Sequence, residues 1–121
     1  MKPPILIVES YDISVHPSIE HAERFLEPFD VKNGIYTAYD YEGNLLDLYV
    51  TKETEKSRLF FLKWSTEYEK VNLRDRQPIE NRQAELREKL FEYLQYRGKK
   101  PELEQMDFVQ LIGRVRKYMP W

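Results

Sequence analysis

The two histidines of this chain, His16 and His21, are the side chains best suited to acid–base chemistry or metal binding. A divalent metal ion can be held by two imidazoles and one carboxylate, and Glu20 and Glu23 lie beside the pair. The histidines are five residues apart, however, rather than at the i and i+4 positions of a helical zinc site. The spacing therefore favours a loop contact for His16 and a solvated helical side chain for His21, and it predicts no metal site and no cofactor.

Other catalytic patterns are missing from the sequence. The chain has no cysteine, which excludes disulfides, cysteine-based zinc sites and thiol catalysis. Its four glycines are isolated, so neither a phosphate-binding loop nor a serine nucleophile elbow is present. Carboxylate pairs such as Glu53 and Glu55 are common, but 21 acidic residues produce such pairs by chance. We therefore predict that the chain is not an enzyme.

Tyrosines and carboxylates gather in one stretch of the sequence and indicate binding instead. We predict a contact surface for a protein partner, formed by Tyr39, Tyr41, Glu42, Asp47 and Tyr49. Strand residues alternate between two faces, so some of these side chains must be exposed. The alternative interpretation is cross-strand aromatic pairing that only stabilises the sheet.

The charge balance argues against nucleic acid as the partner. The formal net charge is −2, whereas a general nucleic-acid binder usually carries net positive charge. Residues 1–60 contain 6 Lys or Arg and 11 Asp or Glu, while residues 61–121 contain 13 and 10. Two basic groups are explained by favourable interaction with helix C-termini: Lys99 with Lys100, and Arg114 with Arg116 and Lys117.

The N-terminal part of the chain predicts one strand, an extended segment and one helix. Residues 5–8 form a β-branched apolar run, which predicts a strand and is too short for a signal peptide or a membrane span. We therefore expect a cytoplasmic protein. Residues 12–15 alternate in polarity and stay extended, and Ser18 caps a helix over 19–26 that Pro28 ends.

The strongest local signal is a β-hairpin over residues 35–40 and 45–50. Asp40 and Gly43 suit a type I turn followed by a left-handed residue. In the preferred register one set of alternating side chains points to the core, and a shift of the pairing by one residue would point the other set there. The preferred core set is Tyr36, Ala38, Leu46, Leu48 and Val50, and the shifted register would bury Ile35, Thr37 and Tyr39 instead.

The rest of the chain predicts one more strand and two helices. Residues 58–64 have a continuous apolar centre, which is typical of a central strand, and residues 64–72 extend it. One helix runs over 78–97, and the second starts near Pro101 or Asp107 and ends near Tyr118. This order predicts a single α+β domain over residues 1–121, with two layers and a mostly antiparallel sheet.

Two stretches, residues 13–28 and 39–46, resemble small uncharacterised bacterial proteins, some of which look like immunity proteins of polymorphic or contact-dependent toxin systems. The resemblance implies a cytoplasmic inhibitor that binds a cognate toxin, and it brings no catalytic residue. Two alternatives stay open. One is a small enzyme or ligand-binding domain with a carboxylate or His16 site, and the other is a domain that self-associates through its C-terminal helix and Trp121.

Overall fold

A computed structural model describes residues 1–59, 62–98 and 104–121. The elements are, in chain order, β1 (Ile5–Glu9), β2 (Asp12–His16), α1 (Ile19–Phe25), α2 (Pro28–Lys32), β3 (Tyr36–Tyr39), β4 (Leu45–Leu59), β5 (Leu62–Asp75), α3 (Gln83–Tyr96) and α4 (Phe108–Arg116). The five strands form one sheet in the order β2-β1-β3-β4-β5, and every neighbouring pair is antiparallel. None of the described helices is both long enough and apolar enough to cross a membrane.

β1 feeds two hydrophobic cores because it is apolar at four consecutive positions. Ile5 and Ile7 pack on one face with α1, while Leu6 and Val8 pack on the other face with α3 and α4. The predicted α+β class, the antiparallel sheet and the helices at both ends are thus confirmed. Helices pack on both faces of the sheet, which gives three layers instead of the expected two. The reason is that β1 has no polar face and needs apolar cover on both sides.

α1 and α4 begin at the expected residues, whereas α3 begins at Gln83 instead of the predicted residue 78, and its N-cap Arg82 makes no side-chain capping hydrogen bond. Ser18 Oγ accepts a hydrogen bond from the backbone N–H of His21 at 3.1 Å and starts α1. Asp107 forms a capping box with Gln110 and starts α4; the alternative start at Pro101 lies outside the described residues. Pro28 follows the end of α1 and is the first residue of the short helix α2, which the sequence did not predict.

The hairpin of β3 and β4 has the predicted turn and register. Asp40 Oδ1 accepts hydrogen bonds from the backbone N–H groups of Glu42 and Asn44, at 2.9 and 3.0 Å. Gly43 has a φ of +85°, in the left-handed region. Ala38 pairs with Leu46, so the predicted core set lies together on the α1 side of the sheet.

β4 and β5 are much longer than the other three strands, and their paired outer halves extend past them. Leu59 pairs with Leu62, so these residues belong to two strands of one hairpin, and the predicted single central strand over 58–64 is wrong. Beyond Val71, the described side chains over 63–70 are exposed, and residues 52 and 54–56 on β4 are exposed too. We call residues 51–59 and 62–70 the ribbon arm. An apolar run shows that a strand is favoured, but it does not show what covers it; Phe60 and Phe61 lie outside the described residues.

Side chains block both edges of the sheet near the helices. Trp121 Nε1 donates a hydrogen bond to the carbonyl oxygen of Val15, at the outer edge of β2, at 2.8 Å. Glu23 Oε2 accepts one from the backbone N–H of Leu73, on β5, at 2.9 Å. An uncovered edge is a template for pairing with another chain, and each of these contacts occupies one backbone group of an edge strand.

Gly43 lies against the start of α3, and this contact generates a prediction. A Cβ at Gly43 would lie 2.6 Å from Gln83 Cα, whereas a Cβ at Gly34, which also has positive φ, would meet nothing within 4 Å. We expect Gly43→Ala to lower the free energy of unfolding by about 2 kcal/mol or more. The control Gly34→Ala should cost clearly less in urea denaturation. Equal losses for the two variants would show that the close approach to α3 does not matter.

Candidate interaction surface

One face of the β4–β5 ribbon has no helix on it among the described residues. Val50 and Val71 point to the core that contains α1, so the residues alternating with them point to the opposite side. On that opposite side α3 and α4 pack at the β2 end of the sheet. We call the uncovered side from Asp47 outward the open face. It carries Asp47, Tyr49, Thr51, Glu53, Glu55, Trp64, Thr66, Tyr68, Lys70, Asn72 and Arg74.

Asp47 organises the inner end of the open face. Its carboxylate lies 3.0 Å from Arg76 Nε and 3.6 Å from Arg74 Nε. The Arg74 guanidinium also lies over the ring of Tyr49, 4.7 Å from the ring centroid. Each contact is partly exposed and contributes at most about 1 kcal/mol. Their combined effect is to hold an aromatic ring and a guanidinium side by side, with the acidic charge already paired.

The structure separates the five predicted contact residues into three groups. Asp47 and Tyr49 lie on the open face, half-buried. Glu42 is exposed in the turn, with Oε1 3.3 Å from Lys2 Nζ, and Tyr41 is half-buried in the same turn. Tyr39 is only 1% exposed and cannot contact a partner. Both faces of the sheet are covered at β3, so a side chain pointing away from one core enters the other, and burial raises the pKa of Tyr39 to about 12.

The aromatic residues of the outer open face were not among the contact residues predicted from the sequence. Trp64 and Tyr68 are 45% and 47% exposed, and both lie on the same side as Tyr49. The signal was available, because Trp64, Thr66, Tyr68 and Lys70 repeat with a period of two. What the sequence could not show is that this face lies beyond the helices.

The two histidines meet in a small aromatic cluster instead of a pocket. His16 Nδ1 and His21 Nδ1 are 2.8 Å apart and share one hydrogen bond, and Ser14 Oγ lies 2.8 Å from His16 Nε2. The Trp121 ring stacks on His16 with centroids 5.0 Å apart, and Phe25 packs beside it at 4.6 Å. Burial, with a smaller contribution from the charge of His21, lowers the pKa of His16 to about 4.

This cluster has the connectivity of a catalytic site but not its access. A hydroxyl, an imidazole and a second imidazole follow one another as a nucleophile, a base and an orienting group would. His16 is 0% exposed, however, and the Trp121 ring covers it, so a substrate cannot reach it. Among the described residues no group of three or more His, Cys, Asp or Glu side chains is placed to hold a metal ion. The cluster therefore joins β2, α1 and the C-terminus structurally.

No protein-family model matches this chain, and comparisons with curated proteins and with solved structures found no significant match. The resemblance to immunity proteins thus stays a prediction.

The buried histidine predicts a loss of stability in mild acid. His16 has a pKa of about 4 in the folded chain, against 6.5 for a solvated histidine in the unfolded chain. Between these values the unfolded state binds more protons, so the free energy of unfolding falls as the pH falls. The loss should reach about 3 kcal/mol by pH 4. Chemical denaturation at several pH values measures it.

His16→Gln is the control for this titration. The variant lacks the buried imidazole but keeps every carboxylate, so its stability should depend less on pH between 6.5 and 4. If both proteins lose stability with the same slope, His16 does not titrate as its burial implies.

Proposed function

We propose that this chain is a non-enzymatic protein-binding domain that contacts its partner through the open face. The observation that carries the proposal is an uncovered sheet face along which Tyr49, Arg74, Tyr68 and Trp64 all point to the same side. Tyrosine, tryptophan and arginine are the residue types that most often dominate binding energy at protein interfaces. They offer large, rigid apolar area with polar groups that set orientation.

The length of the ribbon arm supports the same function. A two-stranded hairpin is at best marginally stable in water when nothing packs on it. The arm nevertheless carries Trp64 and Tyr68 well outside the two cores. A partner that covers this face would bury the aromatic rings and supply the missing layer.

The more specific proposal is that the partner is a toxin domain and that this chain neutralises it in the cytoplasm. It is supported by the resemblance of residues 13–28 and 39–46 to immunity proteins. The acidic groups still available on the β4 side of the open face are Glu53 and Glu55, while Lys70 and Arg74 lie on the β5 side. A partner of mixed charge, with its cations opposite β4, would fit this arrangement.

The alternative function, self-association through the C-terminal helix and Trp121, has less support. Met119 packs against the core of α3 and α4, and Trp121 is engaged by His16 and Val15. A dimer that used these residues would first have to release them from their own chain.

Tyr49→Ser tests the proposed surface. The probe is the product of the gene next to the one for this chain, co-expressed and captured through a tag. Loss of a central aromatic anchor should weaken its binding by about 30-fold, equivalent to about 2 kcal/mol. The matched control is Tyr96→Ser, because Tyr96 is 90% exposed on α3, away from the ribbon.

Each outcome of this comparison decides one part of the proposal. Circular dichroism must show both variants folded. Unchanged capture of Tyr49→Ser would rule out the open face as the contact surface, and failure of the unmodified chain to capture the neighbouring product would count against the toxin-inhibitor role.

A further inference from the structure

We propose that two copies of this chain pair β5 with β5 in their ribbon arms and form a four-stranded antiparallel ribbon around a two-fold axis at Thr66. The inference does not depend on the proposed function, because the strands would join through backbone groups at the edge of the arm. Trp64 and Tyr68 of the open face would add cross-strand contacts to this pairing.

The outer edge of β5 is available for pairing over the whole arm. In an antiparallel ladder the backbone groups of successive residues point alternately towards and away from the neighbouring strand. Leu73 gives its N–H to Glu23 and not to β4, so the residues at even spacings from it also point outward. These are Val71, Glu69, Glu67, Ser65 and Lys63. β5 is the last strand of the sheet, and among the described residues no further strand lies beside it.

The sequence of this edge is complementary to itself when the second strand is antiparallel and centred on Thr66. Thr66 then meets Thr66 of the second copy, and Trp64 meets Tyr68. Lys63 lies opposite Glu69 of the second copy. Threonine pairs, aromatic pairs and opposite charges are the cross-strand combinations that stabilise antiparallel sheets. The two-fold axis repeats the aromatic and the ionic pair, so every strand contributes both partners.

Neighbouring registers are less favourable. A shift by two residues in one direction places Glu67 opposite Glu67 of the second copy, and like charges directly opposite each other repel. The same shift in the other direction separates Trp64 from Tyr68. The outer edge of β4 offers no better match, since pairing centred on Thr54 places Lys52 opposite Lys56.

Charges on the face opposite the aromatic residues also fit the proposed register. Within one copy Lys52 on β4 is the cross-strand neighbour of Glu69 on β5. Glu69 also forms a salt bridge with Lys32 of α2. The incoming Lys63 would approach Glu69 from the remaining side. Positive, negative and positive charges would then alternate across three of the four strands, while the fourth strand places Arg58 of the second copy beside Lys63.

The body of the domain leaves room for the incoming strand and limits its length. A groove of about 630 Å³ runs between α1 and the β5 edge, lined by Glu20 and Arg24 on one side and Tyr68 and Glu69 on the other. The end of the second strand would enter this groove. Glu23 already occupies the N–H of Leu73, so pairing stops before that residue. The contact is thus confined to the arm.

A single cysteine at the two-fold axis tests the register directly, because the native chain has none. Thr66 points its backbone groups to β4, so it would form a non-hydrogen-bonded pair with its copy, in which side chains approach most closely. We expect Thr66→Cys to form a disulfide-linked dimer under mild oxidation. The control Thr54→Cys is also exposed in the arm, on β4, and should stay monomeric. Equal cross-linking of both variants would overturn the proposal.

Exchange of the paired charges provides a second test by light scattering. The unmodified chain should have twice the mass of one 14.7 kDa chain. Lys63→Glu and Glu69→Lys should each be monomeric, since each places like charges opposite one another. Mixing the two variants should restore a dimer, because both ionic pairs then form again. A monomeric native chain, or a mixture that stays monomeric while both variants are folded by circular dichroism, would exclude the β5 pairing.

These tests separate the dimer from partner binding. Tyr49→Ser lies outside the paired edge and should leave the dimer mass unchanged, while Lys63→Glu leaves Tyr49 and Arg74 in place.

Discussion

The apolar run Ile5–Val8 in β1 is the constraint on which the rest of the structure depends. All four side chains are buried, and each contributes roughly 1.5–3 kcal/mol relative to exposure. Because a strand points alternate residues to opposite faces, this run needs apolar cover on both sides. α1 supplies it on one face, and α3 with α4 supplies it on the other. The helices therefore pack on the middle and the β2 end of the sheet. The outer halves of β4 and β5 extend past them. The open face and the ribbon arm are consequences of how β1 is covered.

The sheet treats its edges differently in its two parts. In the body, the C-terminal Trp121 closes the edge of β2 and the Glu23 carboxylate closes the edge of β5 at Leu73. Both contacts join residues distant in sequence, so they form only when the tertiary structure is complete. In the arm, edge protection comes from charged residues such as Lys52 and Glu69, which disfavour random pairing but permit a partner with the matching order of charges. Side-chain hydrogen bonds thus occupy edge groups in the body, whereas the arm has charged side chains as its edge protection.

Local signals allowed much of the fold to be predicted from the sequence. Ser18 as a cap, Asp40 and Gly43 as a turn, and the alternation of Leu46 with Leu48 all act over a few residues, and the structure contains them as expected. The errors concern long-range cover. Burial of Tyr39 depends on helices much later in the chain, and the place of the apolar run near Leu59 depends on which strands extend beyond the core. The pairing of Asp47 with Arg74 and Arg76 likewise needs the register of β4 against β5, which no short stretch of sequence specifies.

That pairing changes the physical basis of recognition. The predicted contact surface included the carboxylates of Glu42 and Asp47, yet Asp47 faces two guanidinium groups supplied by the more basic second half of the chain. Charge that is paired within the fold contributes little to long-range attraction, and the net charge of −2 is too small to steer a partner strongly. The rings of Tyr68 and Trp64, by contrast, remain partly exposed on the same side as Tyr49. In the proposed complex, affinity at the open face would come mainly from the burial of these rings, and Glu53 and Lys70 would select the orientation of the partner.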